Sequence, residues 1–173
     1  MIRHIDLDQL FSDTPLMKLY QTGLLNKNIK NEGKDSAVVP MVHHSDAIRI
    51  ALIHKYGGWY SDLDMVFLKP INHLRNVLGS DSFQIHESKR NPDFLGTKVS
   101  NAIFQFDTQH HPFLQKCLDK FAQVFDGTWG SGGPTLFQLV LNQMCGSPGA
   151  ATWLSKKTYN PENCQGISVV PPR

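Results

Sequence analysis

Residues 45–70, SDAIRIALIHKYGGWYSDLDMVFLKP, decide the fold that we predict for this chain. Apolar residues recur at helical spacing along the first half of this stretch, which indicates a largely buried helix. Ser45 is expected to cap that helix, with Asp46 at the positive end of its dipole. Gly57 is expected to end it, because the residue after a helix often takes a positive φ. The extended run that follows predicts a strand, with residues 65–68 continuing it.

Two aspartates, Asp62 and Asp64, interrupt the apolar second half of the stretch. Bare carboxylates inside a buried strand cost free energy. Residues two apart in a strand face the same side, so these two side chains are expected to converge on one hard cation. Ions such as Mg²⁺ are commonly held by one or two carboxylates together with substrate phosphates, which favours a diphosphate-bearing substrate. The alternative is a solvated turn between two strands.

The segments SDAIR, YGGWY and DLD resemble the sugar-binding region of the DXD-containing glycosyltransferases of family 32, and are similar to the large clostridial glucosylating toxins. The resemblance implies that Asp62 and Asp64 are catalytic residues that meet a divalent metal and the nucleotide sugar. It also implies that Ser45, Asp46 and Arg49 bind the donor sugar. The alternative for Asp46 and Arg49 is a local salt bridge on the first helical turn.

A glycine-rich stretch at residues 128–134, TWGSGGP, precedes a predicted helix over residues 135–145. Its glycines let the backbone approach a ligand closely, and a proline suits the first position of a helix. The α-1,4-glycosyltransferases of the same family carry a similar W-G-x-x-G-P element. The resemblance implies an acceptor-binding or lid loop, and the alternative is an ordinary connection between helices. The residues concerned are Trp129, Gly130, Gly133 and Pro134.

Residues 99–106 predict a further strand, and His111 with Pro112 predicts the start of an amphipathic helix. The aromatic residues of that helix are expected in the core. The family has an asparagine–alanine pair in the strand, matched here by Asn101 and Ala102. The resemblance therefore implies that Asn101 binds the donor sugar.

The bulk properties exclude some classes of function. A net charge of +2 in 173 residues does not indicate a nucleic-acid partner. The start of the chain lacks the pattern of a signal peptide. The three cysteines lack zinc-site spacing. Cys145 and Cys164 are the expected disulfide and Cys117 a buried thiol, and the alternative is three free thiols.

The resemblance implies an α/β fold with the mixed sheet of the GT-A arrangement. The chain is expected to be partial, lacking the family's N-terminal βαβ unit and its C-terminal end. Residues 1–98 are expected to form the donor and metal half and residues 99–173 the acceptor half of one catalytic domain. The alternation of predicted helices and strands over residues 45–106 agrees with this class.

The resemblance also implies a function. It is the retaining transfer of galactose or N-acetylglucosamine from a UDP-sugar to a glycolipid such as lactosylceramide, or to another glycan, with Mn²⁺ or Mg²⁺. It further implies a Golgi lumenal enzyme whose membrane signal-anchor is absent from this sequence. The alternatives are a non-catalytic protein that binds UDP-sugar or metal, a glycoprotein α-1,4-N-acetylglucosaminyltransferase, and a structural domain with an incidental DXD. No second carboxylate stands out as a covalent nucleophile, so front-face attack and double displacement both stay open.

Overall fold

The structure is a computed structural model, and it describes residues 4–26, 38–84, 95–127, 131–145, 164 and 166–170. A short 3-10 helix, Leu24–Asn26, follows the second helix. The α-helices that the described residues form are α1 Leu7–Phe11, α2 Leu16–Gln21, α3 Val38–Tyr56, α4 Pro112–Val124 and α5 Pro134–Cys145. The strands in the same ranges are β1 Gly58–Ser61, β2 Val77–Gln84, β3 Leu95–Phe106 and β4 Ser168–Val169.

The four strands form one mixed sheet in the order β1-β3-β2-β4. Strand β3 is antiparallel to both β1 and β2, whereas β2 and β4 are parallel. This confirms the predicted α/β class with a mixed sheet, and it is consistent with a partial GT-A-like arrangement.

The core lies between this sheet and helices α3, α4 and α5. Phe104 of β3 and Phe113 of α4 both contact Phe137 of α5, with ring centroids 5.2 and 5.3 Å apart. All three rings are fully buried, so they anchor the two later helices to the strand that carries Asn101. The aromatic face predicted for α4 is thereby confirmed as core.

Helix α3 begins two turns before the position predicted for it. It starts at Val38, so Ser45 is an interior residue and the predicted N-cap is wrong. Pro40 lies in the first turn, where a proline costs little because its missing N–H would have no intrahelical partner. Asp46 is therefore in the middle of a 19-residue helix and not at its positive end. The helix is largely buried, as predicted, through Ala47, Ile50, Ala51 and Ile53.

The glycine stop after α3 is confirmed, but the long strand after it is wrong. Gly57 and Gly58 have φ of +68° and +97°, and the Gly57 N–H donates to the carbonyl of Ile53. Strand β1 ends at Ser61, and residues 65–68 have no regular structure. Phe67 instead lies over the sheet, where it lines a shallow groove with Trp59 and other apolar residues.

Strand β3 carries a bulge at the residues that prove central to the site. Its register with β2 passes from Leu78 opposite Phe104 directly to Gly79 opposite Ser100. Residues 101–103 therefore have no partner in β2, which frees the backbone and side chain of Asn101 for other contacts. Bulges commonly redirect a side chain in this way.

The last helices begin and end largely as predicted. His111 caps α4, and its Nδ1 accepts a hydrogen bond from the Phe113 N–H at 3.2 Å. Cys145 at the end of α5 forms a disulfide with Cys164, and Cys117 is a buried thiol, so both cysteine predictions are confirmed. Of the helices in the described ranges, none is sufficiently long and apolar to span a bilayer.

Candidate active site

The guanidinium of Arg49 is the centre of a polar cluster between α3, β1 and β3. The residue is only 7% exposed. Its Nη2 donates to Ser45 Oγ at 2.8 Å and its Nε to the Ser45 carbonyl at 3.3 Å, one turn back in α3. Its Nη1 donates to the carbonyl of Asn101 at 3.0 Å. The interior position of Ser45 thus serves to hold this arginine.

A buried carboxylate lies on the inner side of the arginine. Asp46 is 3% exposed, and its Oδ1 accepts a hydrogen bond from Asn101 Nδ2 at 2.8 Å. Arg49 Nε lies 3.5 Å from the same oxygen. Burial raises the pKa of Asp46, while Arg49 and the amide of Asn101 act in the opposite direction. The salt bridge expected on a first helical turn is real, but it is buried in mid-helix and joined to β3.

The first aspartate of the DXD segment lies on the outer side of the same arginine. Asp62 Oδ1 is 3.2 Å from Arg49 Nη1, and it accepts a hydrogen bond from the Tyr60 hydroxyl at 2.6 Å. The Asp62 N–H donates to the carbonyl of Ala102, in the bulge of β3, at 2.8 Å. Arg49 therefore lies between two carboxylates, one buried and one about a third exposed.

The second aspartate, Asp64, is exposed and lies in a turn. The Met65 N–H donates to the Asp62 carbonyl at 3.3 Å and closes that turn. The expectation that Asp62 and Asp64 project from one face of a strand is wrong, because β1 ends at Ser61. A turn still keeps the two carboxylates at the same end of the strand.

The start of α5 closes the cluster from a fourth side. Gly133 lies directly before Pro134, the first residue of the helix, and packs against Asp46 and Asn101. Of the predicted acceptor or lid loop, Trp129 and Gly130 lie outside the described residues. The structure therefore brings together six of the predicted site residues, Ser45, Asp46, Arg49, Asp62, Asn101 and Gly133, with Asp64 and Pro134 beside them.

Two family models match the chain and together span most of it. "Glycosyltransferase sugar-binding region containing DXD motif" matches residues 1–84, and "Alpha 1,4-glycosyltransferase conserved region" matches residues 106–173. The chain belongs to the DXD-containing glycosyltransferases. The Arg49 cluster joins the two matched regions, because Asp46 and Asp62 lie in the first and Gly133 in the second.

Curated relatives of this glycosyltransferase chain agree with the family. It is 31% identical to lactosylceramide 4-alpha-galactosyltransferase of Pan troglodytes over 97% of the chain, and 31% identical to that of Mus musculus over 99%. It is 33% identical to human alpha-1,4-N-acetylglucosaminyltransferase over 82% of the chain. The chain spans 39% of the length of the two galactosyltransferases and 35% of the third relative. No solved structure matches it.

Tyr60 belongs to the Arg49 cluster, and the sequence analysis did not identify it. Its ring lies against the guanidinium, with Arg49 Cζ 4.7 Å from the ring centroid. Burial and the hydrogen bond to Asp62 raise the pKa of Tyr60 to about 12, so the hydroxyl stays protonated and donates a hydrogen bond to the carboxylate. The sequence could have indicated this contact. Side chains two residues apart in an extended segment lie on the same face, and Tyr60 lies two residues before Asp62.

The carboxylates of the Arg49 cluster fit a divalent cation only in part. Within the described ranges no group of three or more His, Cys, Asp or Glu is placed to hold a metal. Asp62 and Asp64 supply hard oxygen ligands, which suit Mg²⁺ or Mn²⁺. The rest of the coordination shell must come from elsewhere, and a diphosphate and water have the required chemistry. The residues present thus fit a cation that arrives with a phosphorylated substrate.

Proposed function

We propose that this chain carries the donor site of a metal-dependent retaining hexosyltransferase. Its donor would be a UDP-sugar, with galactose as the first candidate, and its acceptor a glycolipid such as lactosylceramide. The observation that supports this most directly is the arrangement around Arg49. It couples the DXD aspartate Asp62 to the buried pair of Asp46 and Asn101, in a chain that two glycosyltransferase family models match.

In this proposal Asp62 and Asp64 hold a divalent cation, which as a Lewis acid would stabilise the departing diphosphate. Ser45, Asp46, Arg49 and Asn101 form the donor-sugar side. Arg49 orients Asp62 through their 3.2 Å ion pair, and Tyr60 fixes the same carboxylate from the strand. Positioned groups of this kind act through electrostatics and orientation, without a covalent bond to the substrate.

The acceptor side is proposed to lie mainly in residues 99–173, with residues 1–98 carrying most of the donor and metal residues. The loop with Trp129, Gly130, Gly133 and Pro134 would bind the acceptor or close over the donor. We further propose that the whole protein acts in the Golgi lumen and is membrane-anchored. The disulfide between Cys145 and Cys164 supports an oxidising compartment.

Calorimetry on the 173-residue chain tests the donor and metal parts of the proposal. UDP, UDP-galactose and UDP-N-acetylglucosamine are titrated with and without Mn²⁺. We expect binding that depends on Mn²⁺ and is lost in Asp64→Asn. Asp81→Asn is the matched control, since Asp81 is an exposed carboxylate on β2, opposite Lys98 of β3. Binding of neither UDP nor a UDP-sugar, or equal binding by Asp64→Asn, would contradict the proposal.

Release of UDP in the presence of lactosylceramide then separates a catalyst from a protein that only binds the donor. Mn²⁺-dependent release with acceptor supports transfer by this chain. Binding without release supports the non-catalytic alternative for the chain by itself. The similarity to an alpha-1,4-N-acetylglucosaminyltransferase favours a second donor, so the release assay is run with both UDP-sugars.

A further inference from the structure

Gly133 makes the closest approach of α5 to the polar cluster. A Cβ placed on Gly133 would lie 2.8 Å from Asp46 Oδ2 and 3.1 Å from Asn101 Nδ2. Contacts below about 3 Å are shorter than the sum of van der Waals radii, so a side chain at this position requires a neighbour to move. The absence of a side chain at Gly133 thus determines how closely α5 can approach Asp46 and Asn101.

Neither neighbour has room to move independently. Asp46 and Asn101 are 3% and 4% exposed, and they are bonded to each other at 2.8 Å. Asp46 lies 3.5 Å from Arg49 Nε, and the carbonyl of Asn101 accepts from Arg49 Nη1 at 3.0 Å. A shift of either residue therefore moves the guanidinium that holds Asp62.

We propose that Gly133 is a positioning residue of the donor side, in addition to any role that its loop has toward the acceptor. It sets the place of the Asp46–Asn101 pair, and through that pair it sets the orientation of Arg49. The donor-side role of Gly133 rests on the proposed function. The packing of Gly133 against Asp46 and Asn101 is a property of the fold alone.

The neighbouring glycine provides a matched control. A Cβ on Gly132 would lie 2.5 Å from the ring of Phe121, which is a fully buried core residue of α4. Gly132→Ala and Gly133→Ala therefore insert the same methyl group one residue apart. The first disturbs only the core, and the second disturbs the polar cluster.

A double-mutant cycle tests the packing relation by thermal unfolding. Gly133→Ala alone is expected to lower the Tm by roughly 3–10 °C, the range for overpacking in a chain of this size. In an Asp46→Ala background the same change is expected to cost less than half as much, because the atom that the methyl group meets most closely, Asp46 Oδ2, is gone and only Asn101 Nδ2 at 3.1 Å remains. Gly132→Ala is expected to cost the same in both backgrounds.

Equal Tm losses from Gly133→Ala in the two backgrounds would overturn the inference. If Gly133→Ala alone does not fold while Asp46→Ala does, folding of the double variant supports the inference, and failure of the double variant overturns it. If Asp46→Ala itself does not fold, the comparison of Gly133→Ala with Gly132→Ala in donor binding decides the inference.

Donor binding supplies the readout that a purely structural role would leave unchanged. In the presence of Mn²⁺, Gly133→Ala is expected to raise the Kd for UDP-galactose at least fivefold more than the Kd for UDP, and Gly132→Ala is expected to raise both equally or neither. Equal effects of Gly133→Ala on both ligands would overturn the donor-side role. If the wild-type chain binds neither ligand, the proposed function fails, while the unfolding cycle still decides the packing role of Gly133.

Discussion

Replacing Arg49 with lysine keeps the positive charge of the cluster but removes its planar fork of donors. The guanidinium donates to the Ser45 carbonyl, to Ser45 Oγ and to the Asn101 carbonyl, and it pairs with Asp62. A lysine ammonium is a single point donor and cannot reach acceptors on both α3 and β3. We therefore expect Arg49→Lys to lose two of the three hydrogen bonds to Ser45 and Asn101.

The magnitude follows from those two bonds. A hydrogen bond from a charged donor contributes about 1.5–3 kcal/mol, so the loss of two is about 3–6 kcal/mol of unfolding free energy. For a chain of this size that corresponds to a fall in Tm of roughly 6–20 °C. The measurement is thermal unfolding of Arg49→Lys, followed by circular dichroism.

Arg75→Lys is the matched control for this prediction. Arg75 Nε pairs with Asp107 at 3.2 Å, but their side chains are 57% and 43% exposed. Exposed ion pairs contribute little, so the control is expected to lose less than about 1 kcal/mol. If Arg49→Lys and Arg75→Lys have the same Tm, the reasoning from the guanidinium contacts is refuted.

The donor assay adds a second test of Arg49→Lys. If Arg49 orients the sugar side, the variant weakens UDP-galactose binding and leaves binding of UDP nearly normal. Equal weakening of both ligands would instead place Arg49 on the diphosphate or assign it to the fold.

Three further predictions concern the metal, pH and the acceptor. Asp64→Asn is expected to abolish Mn²⁺-dependent turnover with the Tm within about 2 °C of wild type, since Asp64 is exposed; turnover at low Mn²⁺ would refute this. Burial and then the charge of His110 lower the pKa of His54 in the folded chain. As the pH falls, the unfolded chain therefore takes up a proton at this histidine before the folded chain does. The Tm is therefore expected to fall between pH 7 and 5.5, and to fall less in His54→Gln; equal falls would exclude His54 as a cause. Trp129→Ala is expected to raise the acceptor KM or lower kcat without changing Mn²⁺ affinity, and a large Tm loss would show that Trp129 is structural.

The sequence predicted those parts of the structure that depend on local chemistry. The glycine pair stops α3 because φ is positive at Gly57 and Gly58, and Pro112 and Pro134 open α4 and α5. The spacing of Phe113, Leu114, Cys117, Leu118 and Phe121 identified the buried face of α4.

Longer-range features of the site were not predictable in the same way. Ser45 has the chemistry of an N-cap, but a helix that tolerates Pro40 in its first turn starts earlier, and Ser45 then binds Arg49 instead. The bulge of β3 depends on the register between two strands, which no local pattern specifies. Asn101 was assigned through the family resemblance, and its contact with Asp46 followed only from the fold.

Most of the N–H groups of the Arg49 guanidinium already have acceptors within the protein, which is why a cation would be needed in the proposed reaction. A guanidinium has five N–H groups. Within the described part of the chain, the carbonyl and hydroxyl of Ser45, the carbonyl of Asn101 and the carboxylate of Asp62 take four of them. One N–H on Nη2 is left, while Asp46 and Asp62 already place two carboxylates beside the one positive charge. Arg49 therefore has little charge to offer a diphosphate, and in the proposed reaction a cation held by Asp62 and Asp64 would supply the charge that stabilises the leaving group.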